Sequence, residues 1–219
     1  MSLPRVAGAA ALGYLLGTFP TADLVAHRVS GGTVDLRAAG TGNPGGANAL
    51  KVLGPRAGYT VMAGDIAKGS VASVLGRVVA GAPGAHIAGT AAVVGHCLPI
   101  WNGGRGGKGV ATTVGQCLAT FPAYFPIDLA VAAATASNPR LKQRAFTATM
   151  VASVCWVGGS LLWWRKGWRN LWGPRPDVGL PLSAAVSSGV VACRFIAASR
   201  AAANARSTPP VRAPVAVAA

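Results

Sequence analysis

Uncharged apolar runs recur along the chain, divided by short stretches that hold most of the charge and many of the glycines. The first run covers residues 6–22 and continues past Asp23 towards Val29. Residues 78–104 carry no formal charge. Residues 109–127 are uncharged too, and apolarity resumes after Asp128 as far as Pro139. Pro122, Pro126 and Asp128 sit in mid-stretch, so this region reads as two short crossings or one broken one. Residues 145–164 supply the ~20 apolar positions that a bilayer core requires. Residues 178–193, followed by 195–199, form another run, interrupted by Arg194. Residues 57–80 are apolar apart from Asp65, Lys68 and Arg77, and counting them gives six or seven spans. A backbone in lipid must satisfy its own hydrogen bonds, so each run is expected as a helix. The pattern predicts an all-α, polytopic transmembrane helical bundle with glycine-rich loops.

Composition agrees. Of 219 residues, 52% are apolar and 11% are charged, and glutamate is absent; a soluble domain carries roughly 25% charged residues. Arg5 ahead of an apolar region resembles a signal peptide, but no small-residue cleavage site follows, and the segment reads as a retained span. The four cysteines, Cys97, Cys117, Cys155 and Cys193, stand alone in apolar stretches and read as small buried hydrophobes. Residues 1–206 form one predicted domain. The Pro- and Ala-rich residues 207–219 are expected to be a disordered tail.

The net charge of +15 is uneven: nine basic and four acidic groups in residues 1–139, eleven and one in residues 140–219. Apolar segments between the basic clusters point to anionic lipid and cytoplasmic loops, not nucleic acid. Arg28, Arg37, Lys51 and Arg56 after the first span, and Arg105 with Lys108 two crossings later, are expected in the cytoplasm. With seven spans, Arg140, Lys142, Arg144 and the tail (Arg200, Arg206, Arg212) join them. The cluster Arg165, Lys166, Arg169 and Arg175 then lies outside, against the positive-inside rule; six spans reverse that cluster and the tail. Seven is the preferred count. Trp163, Trp164, Trp168 and Trp172, set among those basic residues, suit an aromatic belt at head-group level.

Two glycine loops carry the candidate chemistry. "AAGTGNPGGANAL" (38–50) contains Gly-x-Gly-x-x-Gly at Gly40, Gly42 and Gly45. A dinucleotide fingerprint follows a buried strand, and "SGGTVDLRAA" supplies none. "GGRGGKG" (103–109) fails as a P-loop, because Asn102 and Gly109 stand where Gly and Ser/Thr are needed. What survives is the physical content: glycines let backbone amides approach an anion, and Lys51, Arg105 and Lys108 add charge. The bland alternative is a flexible connector. Asp65 and Lys68 in "GDIAKG" share one helix face; inside a span they form either a structural ion pair or a cavity wall. His96, nine residues before Arg105, is either a packed structural group or a general base or substrate-orienting donor. His27 and His86 have no comparable context and read as structural.

In order, "YLLGTFPTADLVAH", "GTGNPGGANALK", "GDIAKG" and "GHCLPIWNGGRGGKGVAT" resemble the signatures of the bacterial acyl-phosphate–glycerol-3-phosphate acyltransferases, from residue 14 to about 115. The resemblance implies a membrane enzyme of about seven helices in the bacterial inner membrane, its site facing the cytoplasm. Such an enzyme moves an acyl group from acyl phosphate to the 1-hydroxyl of glycerol 3-phosphate, giving lysophosphatidate and inorganic phosphate, with no cofactor and no metal. It implies that Thr41, Asn43, Gly45, Asn48 and Lys51 hold a phosphate and its glycerol. Gly106, Gly107, Lys108 and Gly109, beside Arg105, would hold the other phosphate or a developing oxyanion. His96 would orient the hydroxyl, with Asp65 and Lys68 beside it, and the acyl chain would lie between helices, open to lipid. His96, Lys108 and Asp65 are the catalytic candidates, and Lys68 and Arg105 are counted with the phosphate-binding residues. The chain departs from the family pattern at Thr41 (usually Ser), Ala47 (Thr), Lys51 (Arg) and Gly104-Arg105 (Phe-Lys). Near the end, Arg200, Asn204 and Arg206 stand in place of His-Arg-x-Asn. The alternative is a non-enzymatic transporter or a degenerate paralogue that binds lipid precursors. A His-x-x-x-x-Asp acyltransferase is excluded: Gly32, Ala91 and Trp101 follow His27, His86 and His96 by five residues.

Overall fold

The computed structural model describes residues 2–207. Among them every regular element is helical: α1 (Leu3–Gly17), α2 (Thr21–Ser30), α3 (Gly46–Val52), α4 (Pro55–Cys97), a 3-10 turn (Ile100–Asn102), α5 (Val110–Thr120), α6 (Phe125–Ser137), α7 (Arg144–Lys166) and α8 (Gly179–Ser207). Arg212 and the predicted Pro/Ala-rich tail beyond Ser207 lie outside the described residues.

α4 is a hairpin. Its helical geometry breaks at Ala80 and at Gly81, which has φ 67° and ψ −155°. A side chain at Gly81 would be strained there. Pro83 opens the returning limb, where its missing N–H breaks no helical bond. Gly76 and Gly84 face each other so closely that a Cβ on either would strike the other's carbonyl. The doubtful run 57–80 is therefore the outgoing limb, with Asp65 and Lys68 buried, and Arg77 donates to the Trp172 carbonyl at 2.7 Å.

Close contacts set the direction of each neighbour. α1 runs parallel to the returning limb, with Gly13 on Ala88, Gly17 on Ala92 and Gly95 on Tyr14. Lipid gives helices no hydrophobic drive to associate, so small residues that let backbones touch do the packing. α5 runs antiparallel to the outgoing limb, with Thr112 on Gly69 and Ile66 on Gly115. α6 and α7 form a hairpin, closed at one end by Tyr124 and Phe121 against Trp163. α8 runs parallel to the returning limb: Gly179 meets His86, and Val191 meets Val93 and Cys97.

The chain thus makes seven passes between two ends, the upper figure of the expected six or seven. One end holds both glycine loops with α2 and α3, and the other holds Trp163, Trp164, Trp168 and Trp172. Four stretches, Leu3–Ser30, Pro55–Asn102, Arg144–Lys166 and Gly179–Ala201, are long and apolar enough to cross a membrane. α5 and α6, with 11 and 13 residues, are shorter than the ~20 of a full crossing. Val154, Leu182 and Val186 point outward. The interior is small and partly polar: Ser187 donates to Gln116 Oε1 at 2.8 Å, and Gln116 to Thr90 at 3.2 Å.

Gly17→Leu would force a side chain into the Ala92 backbone, whereas nothing lies within 4 Å of a Cβ at Gly8. Gly17→Leu is expected to cost about 1–3 kcal/mol or more and to lower the thermal midpoint in detergent. Gly8→Leu is expected to leave it unchanged. Equal midpoints for the two variants would contradict the α1–α4 packing.

Candidate active site

The first glycine loop is folded around Asn48. This buried side chain on α3 accepts from the Thr41 amide at 2.8 Å and donates to the carbonyls of Leu36 and Ala39 at 3.0 and 2.9 Å. Gly40, at φ 62°, passes so near that a Cβ would strike Asn48 Oδ1. Asn48, expected from the sequence to grip a phosphate, has its amide engaged by the loop's own backbone. The Asn43 side chain lies over Gly45, the residue preceding α3. Thr41 and Lys51 are exposed.

The second loop is built differently from the expected nest. The Gly106 and Gly107 amides donate to the carbonyls of Cys97 and His96 at 3.2 and 3.1 Å. They close the C-terminus of α4 and do not face outward. Their carbonyls accept from Arg194 of α8, Nη2 to Gly106 at 2.8 Å and Nε to Gly107 at 3.2 Å. Arg194, met in the sequence as an interruption of a span, is thus a brace. The expectation that these two glycine amides cradle an anion is corrected: they are occupied by the helix end they terminate. Lys108, the next residue, is half-buried, with its ammonium 4.4 Å from the centre of the Phe195 ring. Phe195 packs edge-on against Phe146 at 5.5 Å. Burial, and then the nearby charge of Lys51, hold Lys108 below the ordinary lysine range. Lys51, 57 positions away in sequence, is thus within electrostatic reach of Lys108. Gly109, at φ 88°, starts α5.

Beneath these loops Asp65, 2% exposed, meets Lys68 Nζ at 2.8 Å and His96 Nδ1 at 3.5 Å, both on Oδ1. Lys68 also donates to the Phe19 carbonyl at 3.2 Å. The Nε2 edge of His96 lies against Gly107, where a Cβ would collide with the ring. A carboxylate on Nδ1 favours the tautomer with its proton there and leaves the Nε2 lone pair free. Asp65, Lys68, His96, Thr21, Arg37 and Asn102 help to line one small, open cavity. The Thr21 hydroxyl, buried in its wall, has no partner.

Residues the sequence reading did not single out join the loops. Arg37 pairs with Asp23 and donates through Nε to the Arg105 carbonyl at 2.9 Å. Asn102 donates to Asp23 at 3.0 Å, and Trp101 Nε1 to the Thr18 hydroxyl at 2.9 Å. The available signal was a charge inside an apolar run, Asp23 or Arg194, which implies a partner. Thr41, Asn43, Gly45, Asn48, Lys51, Asp65, Lys68, His96, Arg105, Gly106, Gly107, Lys108 and Gly109 all fall at this end. The Arg105 side chain is exposed, while its carbonyl accepts from Arg37 and its amide donates to the Asn102 carbonyl at 3.1 Å. His86 lies at the other end, 3.3 Å from the Ser183 hydroxyl and 3.8 Å from Asp177.

The sequence profile of the glycerol-3-phosphate acyltransferase family matches residues 7–202. A glycerol-3-phosphate acyltransferase of Exiguobacterium sibiricum is 44% identical over 125 residues, a stretch covering 57% of this chain and 60% of that relative. The fold is similar to that of PlsY, an integral membrane glycerol 3-phosphate acyltransferase solved in its glycerol 3-phosphate form. The TM-score is 0.70 at 24% identity, over 92% of this chain and 93% of that one. The lysophosphatidic acid form of PlsY gives a TM-score of 0.68 at 23% identity, with the same coverage.

Arg194→Ala would leave two half-buried carbonyls without their charged donor. Hydrogen exchange at the Gly106 and Gly107 amides is expected to rise about tenfold or more, with exchange in α1 unchanged. Unaltered exchange at both glycines would contradict the brace.

Proposed function

Because the chain belongs to the glycerol-3-phosphate acyltransferase family, we propose that it transfers a fatty acyl group from acyl phosphate to the 1-hydroxyl of glycerol 3-phosphate. The hydroxyl oxygen attacks the acyl carbonyl carbon, and the bond from that carbon to the phosphate oxygen breaks. The hydroxyl proton ends on the departing phosphate, directly or by way of His96 Nε2. The products are lysophosphatidic acid, a phospholipid precursor, and inorganic phosphate.

One observation carries this reading. Lys51, on α3, and Lys108, in the second glycine loop, are within electrostatic reach of each other and have no carboxylate partner among the described residues. Lys108 directly follows Gly106 and Gly107, which line the same cavity as His96, Asp65 and Lys68. Two such ammonium groups suit a reaction that brings two phosphates together. Lys108 and Lys51, with Asn43 and Thr41, hold the phosphates; Arg105 adds charge at the rim. Asn48, Gly45, Gly106, Gly107 and Gly109 shape the loops that present these groups. His96 orients the hydroxyl, Asp65 fixes the ring, and Lys68 neutralises Asp65. Acyl phosphate is already activated, so positioning and charge stabilisation supply most of the rate. The acyl chain lies between helices in the bilayer. By the positive-inside rule, the loops carrying Arg28, Arg37, Lys51, Arg56, Arg105 and Lys108 support a site facing the cytoplasm at the bacterial plasma membrane.

Purified protein given acyl phosphate and glycerol 3-phosphate is expected to release lysophosphatidic acid. None above an empty-membrane control would leave a transporter or a precursor-binding paralogue. Lys108→Ala and Asn43→Ala are each expected to lower kcat/KM about 100-fold or more while still inserting. Wild-type turnover in both would remove the loop assignment. Lys108 must stay protonated to bind phosphate, and its depressed pKa brings the alkaline loss of activity to lower pH than for a free lysine. Lys51→Gln removes the like charge, so the alkaline limb of its residual activity moves to higher pH.

A further inference from the structure

The end of the bundle opposite the candidate site carries its own concentration of positive charge. Arg165, Lys166, Arg169 and Arg175 are all exposed, and none has a carboxylate of a described residue within salt-bridge distance. Asp177, the nearest acid in sequence, accepts from the Gly179 amide at 2.8 Å and lies 3.8 Å from His86. Among these cations Trp168, Leu171 and Trp172 are 45%, 65% and 63% exposed.

The segment between α7 and α8 is nonetheless firmly built. Buried Asn170 donates to the carbonyls of Thr120 and Pro174 at 2.9 and 2.8 Å. Arg77 holds the Trp172 carbonyl at 2.7 Å, and Trp163 holds the Arg169 carbonyl at 3.3 Å while packing edge-on to Trp168 at 4.7 Å. Between these anchors Leu171 has φ 49°, the one positive φ among the described non-glycine residues. A branched side chain there is strained. The strain secures nothing in the core, since Leu171 points outward. Its effect is to display an apolar side chain beside two indoles and four unpaired cations.

We propose that residues 165–175 form a preorganised binding platform for anionic phospholipid in the leaflet opposite the active site. Guanidinium groups match phosphate with two parallel hydrogen bonds. Indoles settle at head-group depth, and Leu171 enters the acyl boundary. A free phosphate would satisfy the cations but would give no use for the exposed Trp172 and Leu171, so the occupant is lipid. This reading does not depend on the proposed reaction.

The test uses the intact chain, carrying Trp101→Phe to silence the indole at the active-site end, in bilayers of phosphatidylcholine. Brominated phosphatidylglycerol or brominated phosphatidylcholine is added at equal mole fraction, and quenching of tryptophan fluorescence is read. The anionic lipid is expected to quench with about a threefold or greater preference. That preference should fall as salt rises from roughly 0.05 to 0.5 M and should survive added inorganic phosphate. It should vanish when Arg165, Lys166, Arg169 and Arg175 are all changed to Gln. If that variant does not fold, Arg169→Gln and Arg175→Gln singly should each reduce it. Equal quenching by the two lipids in the parent, or a preference untouched in every variant, overturns the proposal, and abolition by inorganic phosphate would indicate a phosphate site instead.

Discussion

The peptide groups of Gly106 and Gly107 are bonded on both faces. Their amides close the end of α4, and their carbonyls take the guanidinium of Arg194 on α8. This junction ties the last pass of the bundle to the hairpin at its centre. It fixes where Lys108 emerges, and it packs Gly107 onto the ring of His96. It also explains how an arginine stays within a lipid-facing helix: its charge is met by carbonyl dipoles from a neighbouring loop. Only glycine serves at 106 and 107, because a Cβ at either would strike the His96 backbone or ring.

The rest of the bundle follows the same economy of side-chain volume. Gly13, Gly17, Gly69, Gly95 and Gly115 bring helices into backbone contact, so the passes interlock without a large apolar core. That closeness confines polar groups to defined positions. Asp65 and Lys68 are buried on the outgoing limb because small residues around them let the loops close above. Removing either partner alone would strand a charge, which costs far more than the pair contributes as a unit. The pair is thus weak evidence for stability and better evidence for a shaped cavity.

Six or seven passes were legible as apolar runs, and so was the class of fold, because lipid leaves a backbone few choices. The ambiguous run 57–80 was settled by the turn at Gly81, which periodicity cannot show. The glycine loops were legible as two loops sharing one end of the bundle, but their internal bonding was not. A run such as Gly-Gly-Arg-Gly-Gly-Lys-Gly suits an anion nest and a tight helix end equally well, and which it forms depends on α8, some 85 residues later. Asn48 illustrates the same limit: its spacing suits ligand contact, yet its partners at Leu36, Ala39 and Thr41 lie in a loop without a sequence pattern. Arg37 and Asn102 were hidden because each is unremarkable alone, whereas Asp23, a charge inside an apolar run, implied a partner without naming it.

The two lysines of the cavity region are held in opposite ways, and the contrast separates structure from binding. Lys68 sits against Asp65 at 2.8 Å and against a backbone carbonyl. Its charge is cancelled locally, leaving little to offer a ligand. Lys108 rests on the Phe195 ring. A cation–π contact orients an ammonium without neutralising it, and a half-buried position weakens the competition from water. The nearby charge of Lys51 makes the free state less comfortable still. In the proposed reaction an incoming phosphate would relieve that repulsion and meet an ammonium already oriented by the ring.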